Sequence, residues 1–131
     1  MRRAVLWELW WEDLSVLSTL EFVQLWYSIT VFDVSPLADV SALLLFRCGG
    51  ITALPALRNT WLEVEECEEL ADLSGLASKR SRVGQLVLTR LPLVTDLAPI
   101  RAMQPPPRSV VLKDLPEEAM TSWRESVKPP A

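Results

Sequence analysis

The chain has 131 residues, half of them hydrophobic and 23% charged, which is the size and composition of one core-forming domain rather than of a disordered or low-complexity protein. It contains no His, so triads, zinc sites and near-neutral proton shuttles built on imidazole are excluded. Thirteen Lys and Arg against seventeen Asp and Glu leave a net charge of -4, the wrong sign for gripping a nucleic-acid backbone, and no nucleic-acid partner is expected.

The start, Met1-Arg2-Arg3-Ala4-Val5-Leu6-Trp7, imitates a secretory signal, but Glu8, Glu12 and Asp13 interrupt the apolar segment such a signal needs. Further on, Arg47 and the Gly49-Gly50 pair break the best apolar run well short of the roughly 18 to 20 residues of a membrane-spanning helix. A cytoplasmic chain without a membrane partner is expected. Cys48 and Cys67 suit a reducing compartment, being too few for a disulfide framework and lacking the paired spacing of a metal site.

A repeat of about twenty residues organises the chain as one domain over 1–131: residues 1–19 as a degenerate first copy or cap, 20–104 as four regular copies, and 105–131 as a degenerate last copy and C-terminal cap. The frame is an apolar residue, a Leu-x-Leu core, a small or polar position three residues later, then apolar residues in steps of three. The regular copies read Leu20, Val23, Leu25, Ser28, Val31, Val34, Leu37; Val40, Leu43, Leu45, Cys48, Ile51, Leu54, Leu57; Asn59, Leu62, Val64, Cys67, Leu70, Leu73, Leu76; and Val83, Leu86, Leu88, Leu91, Val94, Leu97, Ile100. With the leading and small positions set aside, twenty frame positions remain, and all twenty are Leu, Ile or Val. The degenerate copies are Leu6, Glu8, Trp11, Leu14, Leu17 at the start and Val110, Leu112, Leu115 at the end, so successive cores lie 17, 20, 19, 24 and 24 residues apart.

Alternate residues of a strand share a face, so each Leu-x-Leu core predicts a short strand, while the three-residue steps predict a tight turn or short helix. Asp33-Val34-Ser35-Pro36, Asp72-Leu73-Ser74-Gly75 and Asp96-Leu97-Ala98-Pro99 fall at one phase, where Asp or Ser caps a helix and Pro is tolerated in its first turn. Short helices are expected near 35 to 40, 73 to 80 and 97 to 103, and an amphipathic helix over 116 to 127 that closes the C-terminal end. Gln104-Pro105-Pro106-Pro107-Arg108 interrupts helix and strand alike, and Lys128-Pro129-Pro130-Ala131 reads as a frayed end.

The frame resembles the leucine-rich repeat family, whose pattern is Leu-x-x-Leu-x-Leu-x-x-Asn/Cys-x-Leu, over roughly residues 4 to 116, with Cys48 and Cys67 at the Asn/Cys position, Ser28 as a small substitute, and Leu91 and Trp11 departing from it. The resemblance implies an α/β fold: a right-handed solenoid of about six coils, a parallel sheet on the concave side, and short helices or 3-10 turns on the convex side. The short Asp-Leu-Ser/Ala-Pro/Gly-Leu coils also resemble the leucine-rich repeat tails of bacterial NACHT-type signalling ATPases, which implies a sensor or autoinhibitory role beside an ATPase domain. The first strand starts so close to Met1 that a solenoid needs another cover for its first coil, either Trp10 and Trp11 or a preceding domain.

Residues between and just after the Leu-x-Leu pairs face outward. They include Trp7, Leu9 and Trp10; Gln24, Trp26 and Tyr27; Leu44, Phe46 and Arg47; and Glu63, Glu65 and Glu66, with Trp61 bordering them. Large rings and Arg dominate protein interfaces, and a cluster of exposed rings on one face calls for a cover. The expected binding residues are therefore Trp7, Trp10, Trp26, Tyr27, Leu44, Phe46, Arg47 and Trp61, contacting a protein partner of unknown identity, an upstream ATPase domain or a second copy; the alternatives are that the C-terminal segment covers the patch or that, with the degenerate first copy in another phase, part of it is core. Neither the Glu63-to-Glu69 acidic run nor Ser78-Lys79-Arg80-Ser81-Arg82 reads as more than a solvated surface, and Cys48 and Cys67 read as adjacent buried thiols. No phosphate loop, metal cluster or nucleophile-base pair is present in the sequence, so a non-catalytic binding module without a cofactor is expected.

Overall fold

The structure, a computed structural model, describes residues 3–7, 14, 17–28 and 31–126. Six five-residue strands form one sheet: β1 (Arg3–Trp7), β2 (Phe22–Trp26), β3 (Ala42–Phe46), β4 (Trp61–Glu65), β5 (Gln85–Thr89) and β6 (Ser109–Lys113). They lie side by side in chain order, and every neighbouring pair is parallel. Each connection therefore carries the chain back from the end of one strand to the start of the next.

The register converts the Leu-x-Leu pairs into two columns. Val23, Leu43, Leu62, Leu86 and Val110 are mutual partners across the sheet, and so are Leu25, Leu45, Val64, Leu88 and Leu112. Both columns point to the face covered by the connections, whose three-step residues complete the core. None of the twenty regular frame positions is more than 2% exposed, and burying a Leu, Ile or Val side chain is worth roughly 1.5 to 3 kcal/mol.

The first copy is phased differently from the sequence reading. Ala4 pairs with Val23 and Leu6 with Leu25, so the inward pair is Ala4 and Leu6, not Leu6 and Glu8, and the first step is nineteen residues rather than seventeen. β1 has a neighbour on one side only, and Ala4 and Leu6 are half-buried there; a strand at the sheet edge needs less apolar volume than one in the middle, so a small Ala can fill the position.

Behind the strand ends, Ser28, Cys48, Cys67 and Leu91 form a buried row. The Cys48 thiol lies 3.6 Å from the Leu25 carbonyl oxygen and 3.7 Å from that of Phe46, and the Cys67 thiol 3.8 Å from that of Leu45 and 3.7 Å from that of Glu65, so each sits between its own strand and the preceding one. Leu91 offers no donor, and the row of side-chain hydrogen bonds stops there. The Cys48 thiol hydrogen-bonded beside it, together with burial, pushes the Cys67 thiol up, which keeps it protonated and inert.

The connections follow their turn residues. Asp33, Asp72 and Asp96 each accept a backbone N–H two residues on, from Ser35, Ser74 and Ala98, at 2.8 to 2.9 Å. Directly after them come the 3-10 helices Ser35–Leu37 and Ser74–Ala77 and the helix α1 (Ala98–Arg101), shorter than the expected spans but at their places. The connection between β3 and β4 has Ala53 where the others have Asp, and it stays extended, with Ala53 bridging to Asp72 and Leu54 N–H donating to the Asp72 carbonyl. Gly75 sits where two connections press together: a Cβ there would come within 2.1 Å of the Leu54 carbonyl oxygen. The expected C-terminal helix is α2 (Glu117–Ser126); it buries Ala119, packs Met120 and Trp123 on the core, and holds the Arg101 guanidinium 3.5 Å from the Trp123 ring centre.

Candidate functional site

The outward sheet face carries three rows of side chains because every strand is registered residue for residue with the next. The row at the strand ends reads Trp7, Trp26, Phe46, Glu65, Thr89, Lys113. Its first three members stack: the Trp7 and Trp26 rings are 4.7 Å apart with 12° between their planes, and Trp26 and Phe46 are 4.4 Å apart. Parallel strands about 4.8 Å apart impose that spacing on any column of rings, and each stacked pair is worth about 0.5 to 1.5 kcal/mol beyond area burial. The column is graded in exposure: Phe46 is only 6% exposed, Trp26 half-buried, and Trp7 59% exposed.

One residue further, the chain leaves each of the strands β2 to β6 through a left-handed conformation. Tyr27, Arg47, Glu66, Arg90 and Asp114 all have φ between 52° and 56°, a region that costs a side-chain-bearing residue roughly 1 to 2 kcal/mol. The same turn sends the following residue back into the buried row and stands these five side chains in a line. They bond to one another: Arg47 donates to the Tyr27 hydroxyl at 2.9 Å and to Glu66 at 2.6 Å, Arg90 donates to the other Glu66 oxygen at 2.6 Å, and Arg90 reaches Asp114 at 3.5 Å. Hydrogen bonds from Arg90 and Arg47, with their charges, hold the Glu66 carboxyl below its usual range. Exposed ion pairs contribute little stability, so the row acts chiefly to fix side-chain directions. Tyr27 also faces Trp7 at 5.7 Å and lies under the Arg47 guanidinium at 5.4 Å, which joins the charged line to the ring column.

Trp7, Trp26, Tyr27, Phe46 and Arg47 are thus brought together at one end of β1 to β3. Two of the expected roles change. Phe46 is buried by the Trp26 ring and by its position inside the sheet, so it backs the stack and is not an exposed anchor. Arg47 is already engaged by Tyr27 and Glu66, so the acidic surface expected around Glu66 is partly neutralised from within the sheet. Leu44 is half-buried in the middle row, between Gln24 and Glu63. Trp61 is 43% exposed but opens β4 opposite Ala42 and Gln85, at the far end of the strands from the ring column. Trp10 lies outside the described residues, as do Leu9 and Trp11. Val5, 42% exposed beside Trp7, was hidden by the phase of the first copy, and Phe32, 68% exposed in the β2–β3 connection, lies off the frame and carries no periodic signal. Among the described residues no group of three or more Cys, Asp or Glu is placed to hold a metal, and no helix is long and apolar enough to cross a membrane. No protein-family model, curated protein or solved structure matches the chain.

Proposed function

We propose that the chain is a right-handed leucine-rich repeat solenoid of about six coils that serves as a non-catalytic protein-interaction module, its sheet forming the concave face. The in-order parallel sheet, the two Leu columns and the short returning connections support the architecture. The observation that carries the function is the Trp7 ring, held flat on Trp26 beside Tyr27 and yet more than half exposed. A ring immobilised before binding gives up little rotamer entropy when a partner covers it, and this is the kind of residue on which interface energy concentrates. Trp7 and Trp26 are the anchors, Tyr27 and Arg47 supply the polar margin, and Phe46 supports from beneath.

Affinity capture with the purified chain, followed by mass measurement of what is retained, tests this reading. A partner held by the wild-type chain and released by Trp7→Ala and by Trp26→Ala, with far-ultraviolet circular dichroism unchanged, supports it. Equal retention by both variants overturns the assignment of the face. Light scattering on the same samples identifies the case in which the partner is a second copy.

A further inference from the structure

At the other end of the strands a second line of charges is left unbalanced. Asp39, Arg58 and Arg82 each stand three residues ahead of a strand, before Ala42, Trp61 and Gln85, which are partners in the sheet. Backbone hydrogen bonds of 2.8 Å, from Arg58 to the Ala38 carbonyl and from Arg82 to the Leu57 carbonyl, tie each to the preceding segment. Asp39 gives both carboxylate oxygens to Arg58, at 2.6 and 2.7 Å. Arg82 is next in line and has no such acid. Arg108, its backbone N–H bonded to the Gly84 carbonyl at 2.8 Å, comes in from the following segment. Among the described residues neither Arg82 nor Arg108 makes an ion pair, so no carboxylate there neutralises their guanidiniums.

These three arginines line one open cavity of about 340 Å³, with Thr60, Gly84 and two prolines in its wall and no carboxylate. A Cβ on Gly84 would lie 2.6 Å from the Thr60 carbonyl oxygen and 3.6 Å from an Arg108 nitrogen, so the backbone there runs close beneath the Arg108 fork. The contrast with the opposite edge is informative. There, Arg47, Glu66, Arg90 and Asp114 alternate in sign and pair completely; here, like charges face a shared space in a chain whose net charge is -4. Positive charges gathered around a cavity repel one another, and a multiply charged anion entering it removes that repulsion. The planar guanidinium fork matches the oxygens of a phosphate two at a time, and the volume suits a small ligand. A long polyanion would meet the acidic remainder of the surface.

We propose that this cavity binds a small molecule carrying a phosphate or diphosphate group, gripped by Arg82 and Arg108, with Arg58 held in position by Asp39 as the third contact. The site is separate from the ring column and does not depend on its role. Titration calorimetry of the full chain with pyrophosphate and with orthophosphate, at constant ionic strength and with sulfate as control, tests it. The expected result is saturable binding of one or both phosphates, weakened about tenfold or more by Arg82→Ala and by Arg108→Ala and left unchanged by Trp7→Ala. Both arginines are exposed, so an unchanged melting curve shows that the variants still fold. Equal affinity in the arginine variants, sulfate binding as tight as pyrophosphate, or the absence of saturation overturns the proposal. So does tighter binding of a single-stranded oligonucleotide than of pyrophosphate, which would identify an extended polyanion groove.

Discussion

Replacing Leu45 and Leu6 by Ala in separate variants probes the sheet at two depths of one column, since both belong to the row that continues through Leu25, Val64, Leu88 and Leu112. Leu45 is 0% exposed and has strands on both sides, so its truncation removes transfer energy and leaves a cavity that neighbours on either side hold open. About 3 kcal/mol is expected, in the middle of the range for fully buried Leu. Leu6 is half-buried on an edge strand, with a neighbour on one side only, and the edge can relax into the space. About 1 kcal/mol is expected there, the transfer term for part of the side chain. At about 4 °C of melting temperature per kcal/mol for a domain near this size, the two variants should melt about 12 °C and about 4 °C below the wild type. Urea unfolding, followed both by circular dichroism and by the fluorescence of the six Trp residues, gives the free energies directly and shows whether the two probes report one transition. A cost at Leu6 equal to or above that at Leu45 would refute the reasoning, because it would mean that β1 is packed as deeply as β3.

Gly75→Ala places a Cβ within 2.1 Å of the Leu54 carbonyl oxygen, and pushing the two connections apart should cost about 2 kcal/mol or more, read as a lowered urea midpoint; an unchanged midpoint would show that these connections move freely. The Glu66 carboxyl, ordinarily near 4.5, is held lower by Arg90 and Arg47 in the folded chain, so as pH falls the unfolded chain takes up that proton first. The resulting stabilisation is complete above pH 4.5 and is lost as pH falls through the lower folded value; the melting temperature of Glu66→Gln should therefore drop less steeply below pH 4.5 than that of the wild type, and parallel curves would mean that the two arginines do not act on Glu66 in solution. Cys48 and Cys67 are both fully buried, so a thiol reagent should label neither in the native chain and both in denaturant; rapid native labelling would show that the row behind the strands opens on the time scale of the reaction.

What could be read in advance was whatever depends on a single strand's period. The alternation of Leu43 and Leu45, or of Leu86 and Leu88, states which face is inward without reference to any other segment, and Asp33, Asp72 and Asp96 announce the turns that follow them. Ala53 makes the same point by default: without a carboxylate to hold the next N–H groups, its connection stays extended. The first copy was mis-phased because at a sheet edge the packing demand is halved, and Ala4 there gives a weaker apolar signal than Leu6 two residues on. The fate of Phe46 and Arg47 was not legible at all, since each is decided by residues about twenty positions away, Trp26 above the ring and Glu66 beside the guanidinium, and only the register brings them together.

The same register explains why two edges of one sheet differ chemically. The ends of β2 to β6 each place one residue in a left-handed turn, and those five residues stand close enough for a charge on one to be answered by the next, as Arg47, Glu66 and Arg90 are. At the strand starts the spacing is equally regular, but Arg82 follows Arg58 instead of an acid, and Arg108 is added from the next connection. Stacking identical frames makes every surface residue a neighbour of its counterpart, so matched signs stiffen a surface and unmatched signs leave it poised for a ligand. A single reversal tests this logic: Arg82→Glu removes one unpaired arginine and supplies Arg108, which has no acid of its own, with a counter-charge beside the Asp39-bound Arg58. It should abolish phosphate binding while leaving the melting temperature at neutral pH equal to or above that of the wild type, and a fall in melting temperature with phosphate binding retained would show that the unpaired arginines are indifferent to one another.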